Sequence, residues 1–315
     1  MGSKMIKMKF IKFLLLGFFL AGLTPQLSAQ QEAMFTQYMF NGLAINPAYA
    51  GSHESLSATL LFRDQWTGLP GAPSTQTFSV HSPIRNAKIA LGLQVIHDKI
   101  AIFNQYGVNG SYAYRIFTEK GTLSFGLQFG FTSYNADLSA LSPQDPTDPV
   151  FQGDVNKVMP SFGAGVYYYT DRFYLGLSAP QLVTNSLTED IVEIDGDARQ
   201  DRHYFLTTGY MFELSHNVKL KPNILIKAVE GAPIQMDLNA NVLFSDVLWL
   251  GVSWRSLSDI DALIELQLTD QLLLGYSYDF ASTTDLRRVN SGSHELMLNY
   301  RFRYSKNKVI TPRYF

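Results

Sequence analysis

The sequence predicts a single all-β fold, an antiparallel transmembrane β-barrel of about 14 strands. Three observations carry this. Apolar and polar residues alternate with period two through most of the chain, the alternating segments are long, and the connections switch between tight and extended in step with strand number. Successive side chains of a strand point to opposite faces, so one greasy and one polar face suits a sheet set between lipid and a polar interior.

In chain order, residues 1–29 read as a secretory signal peptide: Lys4, Lys7, Lys9 and Lys12 precede an apolar stretch at 13–23, and Leu27-Ser28-Ala29 closes it before Gln30. A retained membrane anchor is the alternative, and the shortness of the apolar run argues against it. Residues 30–50 are polar and aromatic without clean periodicity and end in the turn chemistry of Asn46-Pro47-Ala48-Tyr49-Ala50-Gly51. They read as a partly helical periplasmic lead-in or plug-like segment. The barrel occupies residues 51–315, with strands expected at 54–66, 75–82, 88–97, 105–116, 121–133, 158–169, 172–179, 202–213, 217–228, 233–244, 247–255, 259–268, 271–280 and 293–304.

The clearest alternation sets Leu123, Phe125, Leu127, Phe129 and Phe131 against Thr122, Ser124, Gly126, Gln128 and Gly130. The strands run about 8 to 13 residues, longer than the 5 to 6 typical of soluble sheets and close to the 9 to 11 of a tilted membrane strand. Tight junctions at 118–120, 170–171, 214–216, 245–246 and 269–270 all follow even strands, while the long polar loops 135–157 and 180–201 follow odd ones. Short periplasmic turns facing longer outer loops give this parity. Lys219, Lys221, Lys227, Asp259, Asp261 and Glu265 then belong to a wet interior, and Gly126 and Gly130 ease curvature. The aromatics Trp66, Tyr167, Tyr168, Tyr174, Trp249, Trp254, Tyr278 and Tyr304 are expected in interfacial girdles. A soluble sandwich or propeller is the competing fold, and no blade-length repeat supports a propeller.

Composition narrows function. The net charge of −2 gives no basic surface for nucleic acid, and the absence of cysteine removes disulfides, thiolate metal sites and a lipid-modified cysteine anchor. The 6 histidines are scattered without metal-ligand spacing, and no nucleophile elbow, P-loop or dinucleotide fingerprint occurs. No cofactor is expected and no enzymatic activity. The loop 189–197, with Asp145, Asp148 and Asp154 in the other long loop, is rich in carboxylates but departs from the EF-hand order, and reads as a solvated acidic loop rather than a calcium site.

Three stretches carry a family resemblance. They are Phe35-Thr36-Gln37-Tyr38-Met39-Phe40-Asn41 with Ile45 to Gly51; Phe62-Arg63-Asp64-Gln65-Trp66-Thr67-Gly68 with Gly71-Ala72-Pro73 and Thr75; and Gly275-Tyr276-Ser277-Tyr278-Asp279-Phe280 with Asn290-Ser291-Gly292-Ser293-His294-Glu295 and Leu298-Asn299-Tyr300-Arg301-Phe302. In this order they resemble the PorP/SprF family, and the closing Pro312-Arg313-Tyr314-Phe315 fits as well. The resemblance implies an outer-membrane component of type IX secretion, linked in gliding species to adhesin delivery. It implies as partners a cargo protein with a C-terminal sorting domain, other secretion-system components and the lipid bilayer. Docking at the outer rim is expected in preference to conduction, the alternative being a channel or hydrophobic-ligand transporter. In the first outer loop Trp66, Leu69 and Pro73 are the candidate partner-binding residues; alternatively Trp66 anchors at the lipid interface while Pro70 and Pro73 shape the loop.

Overall fold

The computed structural model describes residues 34–84, 87–141, 153–186, 199–256, 259–281 and 290–302. The signal-like segment, the acidic loop 189–197, Asp145, Asp148, Tyr304 and the closing tetrapeptide lie outside the described residues.

Fourteen barrel strands are present among the described residues. They are β1 Leu56–Asp64, β2 Ser74–Pro83, β3 Ile89–Ile100, β4 Phe103–Phe117, β5 Thr122–Ala136, β6 Val155–Tyr169, β7 Phe173–Gln181, β8 His203–Tyr210 continued by Phe212–Ser215, β9 Val218–Val229, β10 Gln235–Phe244, β11 Leu248–Arg255, β12 Asp259–Gln267, β13 Leu272–Ala281 and β14 Ser293–Phe302. Each pairs antiparallel with its neighbours in sequence, and β1 pairs with β14 from Leu56↔Phe302 to Asp64↔His294, which closes the sheet. Hydrocarbon offers no partner to a free edge, so closure satisfies the backbone. The expected strands and their parity hold.

Two differences have local causes. The connection after β3 shrinks to residues 101–102, because β3 and β4 stay paired out to Ile100↔Phe103 through Asp98, Lys99, Asn104 and Gln105. Polar residues do not end a strand that has left the bilayer. In β8, the ladder to β9 breaks between Gly209↔Asn223 and Phe212↔Leu220. Pro222 lies opposite this break and has no N–H to give, and the Met211 N–H turns instead to the Arg172 carbonyl at 2.7 Å.

Alternation sorts the side chains as expected in β5, where Leu127, Phe129 and Phe131 face outward and Ser124 and Gln128 are buried inside. Three girdle expectations fail. Tyr167, Tyr174 and Trp249 are buried and face the lumen, because strand parity overrides nearness to a strand end. The exposed tyrosines and tryptophan among the described residues are Tyr106, Tyr112, Tyr114, Tyr204, Tyr210, Tyr276 and Trp254. The charged interior positions are packed among protein atoms: Lys221, Lys227, Asp261 and Glu265 are almost fully buried. The hydrophobic core lies within the barrel and is built on residues 35–50.

Candidate functional site

Residues 34–53 leave no room for a coil in solvent. They form three one-turn 3-10 helices, Tyr38–Phe40, Gly42–Ala44 and Pro47–Tyr49. Such turns suit a segment broken by Gly42 and Pro47, since 3-10 runs beyond a few residues are uncommon. Asn46 starts the last turn by accepting the Ala48 N–H at 2.9 Å, with Pro47 at the first helical position where a missing N–H costs nothing. The same Asn46 donates through Nδ2 to the Val166 carbonyl of β6 at 3.1 Å.

The segment touches the wall on every side, which only a lumenal position allows. Toward the end of the barrel carrying the long loops, Glu295 of β14 accepts the N–H of Thr36 at 2.9 Å and of Gln37 at 2.8 Å. Arg63 of β1 pairs with Asp279 of β13 and, at 3.2 Å, with Glu295. Thr36 Oγ1 donates to Asp279 at 2.9 Å and accepts from Arg63 at 3.3 Å. These side chains form one closed clasp on the incoming backbone. Such a buried ion cluster contributes little net stability but penalises any other arrangement, since one unpaired member costs about 3–5 kcal/mol.

Midway, Asn239 of β10 donates to the Tyr38 hydroxyl at 2.6 Å, and Ser178 of β7 donates to the Ile45 carbonyl at 2.6 Å. The Phe40 ring meets Trp249 edge-on with centroids 5.5 Å apart and lies 4.6 Å from the Lys221 ammonium. Toward the other end, Tyr49 packs against His53, His81 and Tyr167 at 5.6, 5.5 and 5.4 Å. The Gly51 N–H donates to His81 Nδ1 at 3.0 Å. Burial holds the phenols of Tyr38 and Tyr49 above their ordinary range, and for Tyr38 the nearby Tyr174 and Asp237 push the same way.

The wall makes room for this segment with glycines. A Cβ on Gly126 would run into the backbone of Pro47 and Ala48, one on Gly165 into Asn46, and one on Gly275 into Gln37. A Cβ on Gly92 would lie 3.1 Å from the Leu43 methyls. The curvature reading of Gly126 is therefore replaced: its missing side chain is the seat of the Pro47 turn. Gly130 serves differently, its space being taken by Asn109 of the neighbouring strand. The remaining gap beside Tyr38, Tyr49 and Thr207 is about 20 Å³, little more than one water. Residues 34–53 thus pack closely against the wall inside the barrel.

Comparison with known proteins adds the family. A sequence profile described as type IX secretion system membrane protein PorP/SprF matches residues 27–300. The chain belongs to the PorP/SprF family. It is thus an outer-membrane component of type IX secretion. No curated protein matches it. Among solved structures it is similar to Omp33 of Acinetobacter baumannii, at 10% identity over 79% of this chain and 100% of that one with a TM-score of 0.46. It is also similar to a FadL homologue of Pseudomonas aeruginosa, at 14% identity over 84% and 94% with a TM-score of 0.49. The CymD monoaromatic hydrocarbon channel is similar at 12% identity over 88% and 95% with a TM-score of 0.48.

The clasp unites the three stretches that carry the PorP/SprF resemblance: Thr36 and Gln37 from the first, Arg63 from the second, Asp279 and Glu295 from the third. The sequence pattern alone assigns these residues no role, and the signal it offers is charge on inward strand positions in the second and third stretches. Trp66, Leu69 and Pro73 share the loop between β1 and β2 and are each half-buried, with Thr67, Gly68, Pro70 and Gly71 exposed between them. This loop is pinned: the Trp66 N–H donates to Ser293 Oγ at 3.2 Å, the Thr67 N–H donates to the Gly292 carbonyl and the Ser291 N–H to the Thr67 carbonyl, both at 2.8 Å, and the Ala101 N–H donates to the Gly71 carbonyl at 3.0 Å. Asp154, the described acidic loop residue, accepts from the N–H and hydroxyl of Ser139, which hold its carboxyl below the usual range. No group of three or more His, Asp or Glu side chains arranged for a metal occurs among the described residues.

Proposed function

We propose that this PorP/SprF protein works by docking: its outer loops hold the C-terminal sorting domain of a type IX cargo protein, for export or for retention at the surface, alongside other secretion components and including gliding adhesins. It is a binding protein and not an enzyme. In this reading residues 1–29 direct export, 30–50 are a built-in plug and 51–315 the barrel. The observation that carries it is the filled lumen, which weighs against passage of a cargo, a solute or a hydrophobic ligand through the barrel.

Support for the β1–β2 loop as the contact comes from its order. Trp66 is held at φ +51°, a conformation that costs a bulky residue about 1–3 kcal/mol and persists only where surroundings impose it. A loop pinned in advance loses less entropy when a partner binds. Trp66, Leu69 and Pro73 then offer apolar contact at a rigid rim, where aromatic anchors dominate binding energy. Affinity isolation from native outer membranes tests this. The wild type should retain a large surface protein carrying a sorting domain, and Trp66→Ala with Leu69→Ala should lose it while the barrel stays folded. Normal cargo secretion and display in a deletion strain would sink the proposal.

A further inference from the structure

Between residues 34–53 and the long-loop end of the barrel lies a cavity of about 110 Å³, with Phe35 and Ala44 on its lining. That is room for about four waters, or for one ion that keeps part of its hydration shell. The lining differs in kind from the clasp, where each carboxylate meets Arg63. Here Asp98 supplies the one carboxylate, no lysine or arginine lines the space, and no described residue forms an ion pair with Asp98. Its carboxylate accepts the Thr75 hydroxyl at 2.6 Å. A half-buried charge without a counter-ion is costly, and one that faces a hydrated space is placed to take a cation from it.

The sheet sets further oxygens around this carboxylate. Asp98 lies directly opposite Thr75 in β2 and Gln105 in β4, and residues so placed have Cβ atoms about 4.5–5.5 Å apart. Thr132 of β5 lies opposite Gly107, two residues along β4 from Gln105 and on the same face. The bare Gly107 leaves Thr132 Oγ1 room to lean over β4, a Cβ there lying 3.7 Å from it. Gln94, Gln128 and Thr132 are 6%, 5% and 5% exposed, line the cavity, and make no hydrogen bond to another described residue. Their polar atoms open onto the cavity and are not enclosed by protein. Polar groups held this far from bulk solvent take their partners from the space they face. The facing wall is already satisfied: Gln181 accepts from Ser161 at 3.0 Å and donates to the Val183 carbonyl at 2.8 Å, and His203 turns Nδ1 to the Asp201 carbonyl at 3.0 Å.

We infer that this cavity holds one calcium ion, bound by the Asp98 carboxylate and the Gln105 amide oxygen, with waters bridging the ion to Gln94, Gln128 and Thr132. Carboxylate, side-chain amide oxygens and water are the hard ligands calcium takes, and it accepts them in irregular arrangements, whereas magnesium demands a near-ideal octahedron and dehydrates reluctantly. All but one of these oxygens are neutral, so no cluster of acidic or histidine side chains marks the site. A single carboxylate makes the affinity weak, in the range of extracellular calcium modules. The ion rests above Phe35 and Ala44 and so ties the β3–β5 wall to the outer end of the plug.

The test uses the full protein in detergent, stripped with a chelator and then dialysed into sodium chloride. Calorimetry and equilibrium dialysis with calcium chloride should show a saturable step with Kd of about 10⁻⁴ to 10⁻³ M. Magnesium chloride should bind at that step at least about tenfold more weakly to the same wild-type protein, a result independent of any variant. Asp98→Asn keeps the shape of the side chain and its bond from Thr75 but removes the charge. With the heat-modifiable gel shift of a folded barrel, it should weaken the step about tenfold or more, and Gln105→Leu about threefold or more. Asp145→Asn with Asp148→Asn, in the loop after β5, should leave the step unchanged. Absence of saturable calcium binding, equal affinity for magnesium, undiminished binding by both folded cavity variants, or loss of the step in the loop variant would overturn the inference.

Discussion

Arg63 stands between two carboxylates, and one of them grips the plug backbone directly. Arg63→Met removes the cation but leaves Asp279 and Glu295 buried together, so the folded barrel should lose about 3–5 kcal/mol. The measurement is the temperature at which the heat-modifiable band converts on a gel, and an unchanged midpoint would contradict the clasp. Tyr38 gives a pH prediction. Burial raises its phenol, so above the unfolded value near 10 the unfolded chain loses a proton that the folded one keeps. Stability is whole below that pH and falls as pH rises through the folded value. Tyr38→Phe should flatten the alkaline limb of an unfolding profile. Single residues were the least legible part of the sequence. Alternation placed Glu295 and Asp279 on the inner face, yet nothing in the spacing of Thr36, Arg63 and Glu295 says that they meet. Their contacts span separations of up to 259 residues. Tyr167, Tyr174 and Trp249 lie near strand ends yet face the lumen, because strand parity and not nearness to an end sets the face.

The strands are legible in the sequence to within about three residues at their ends, since alternation is a local signal and each barrel strand repeats it. What alternation cannot reveal is why an inward position is empty. Gly126 and Gly130 look alike in sequence; one seats the Pro47 turn and the other the Asn109 amide. Gly126→Val should therefore displace the plug without disturbing the lipid face, whereas Gly110→Ala, whose Cβ would meet the Phe129 carbonyl at 3.8 Å, should be silent. Protease sensitivity of the 34–53 segment in purified protein distinguishes them: cleavage should appear in Gly126→Val and stay absent in Gly110→Ala. Equal resistance would mean the segment does not depend on that seat. The plug's 3-10 turns were only half legible. Pro47 and Asn46 announce a turn, but short aromatic segments take their shape from the wall that surrounds them.

The whole barrel follows from one pattern repeated around a closed sheet, with β1 and β14 paired and residues 34–53 packed inside. The PorP/SprF stretches meet in space because closure pairs β1 with β14 beside residues 34–53. The chain belongs to a type IX secretion family and packs residues 34–53 inside its barrel, and the docking proposal, which assigns partners to the rim and loops, starts from that packing. Conductance in planar bilayers is the most direct test of the stopper. The wild-type protein should insert silently, and Gly126→Val should produce discrete ohmic steps that demonstrate competent insertion. Steady porin-like steps from the wild type would contradict the account.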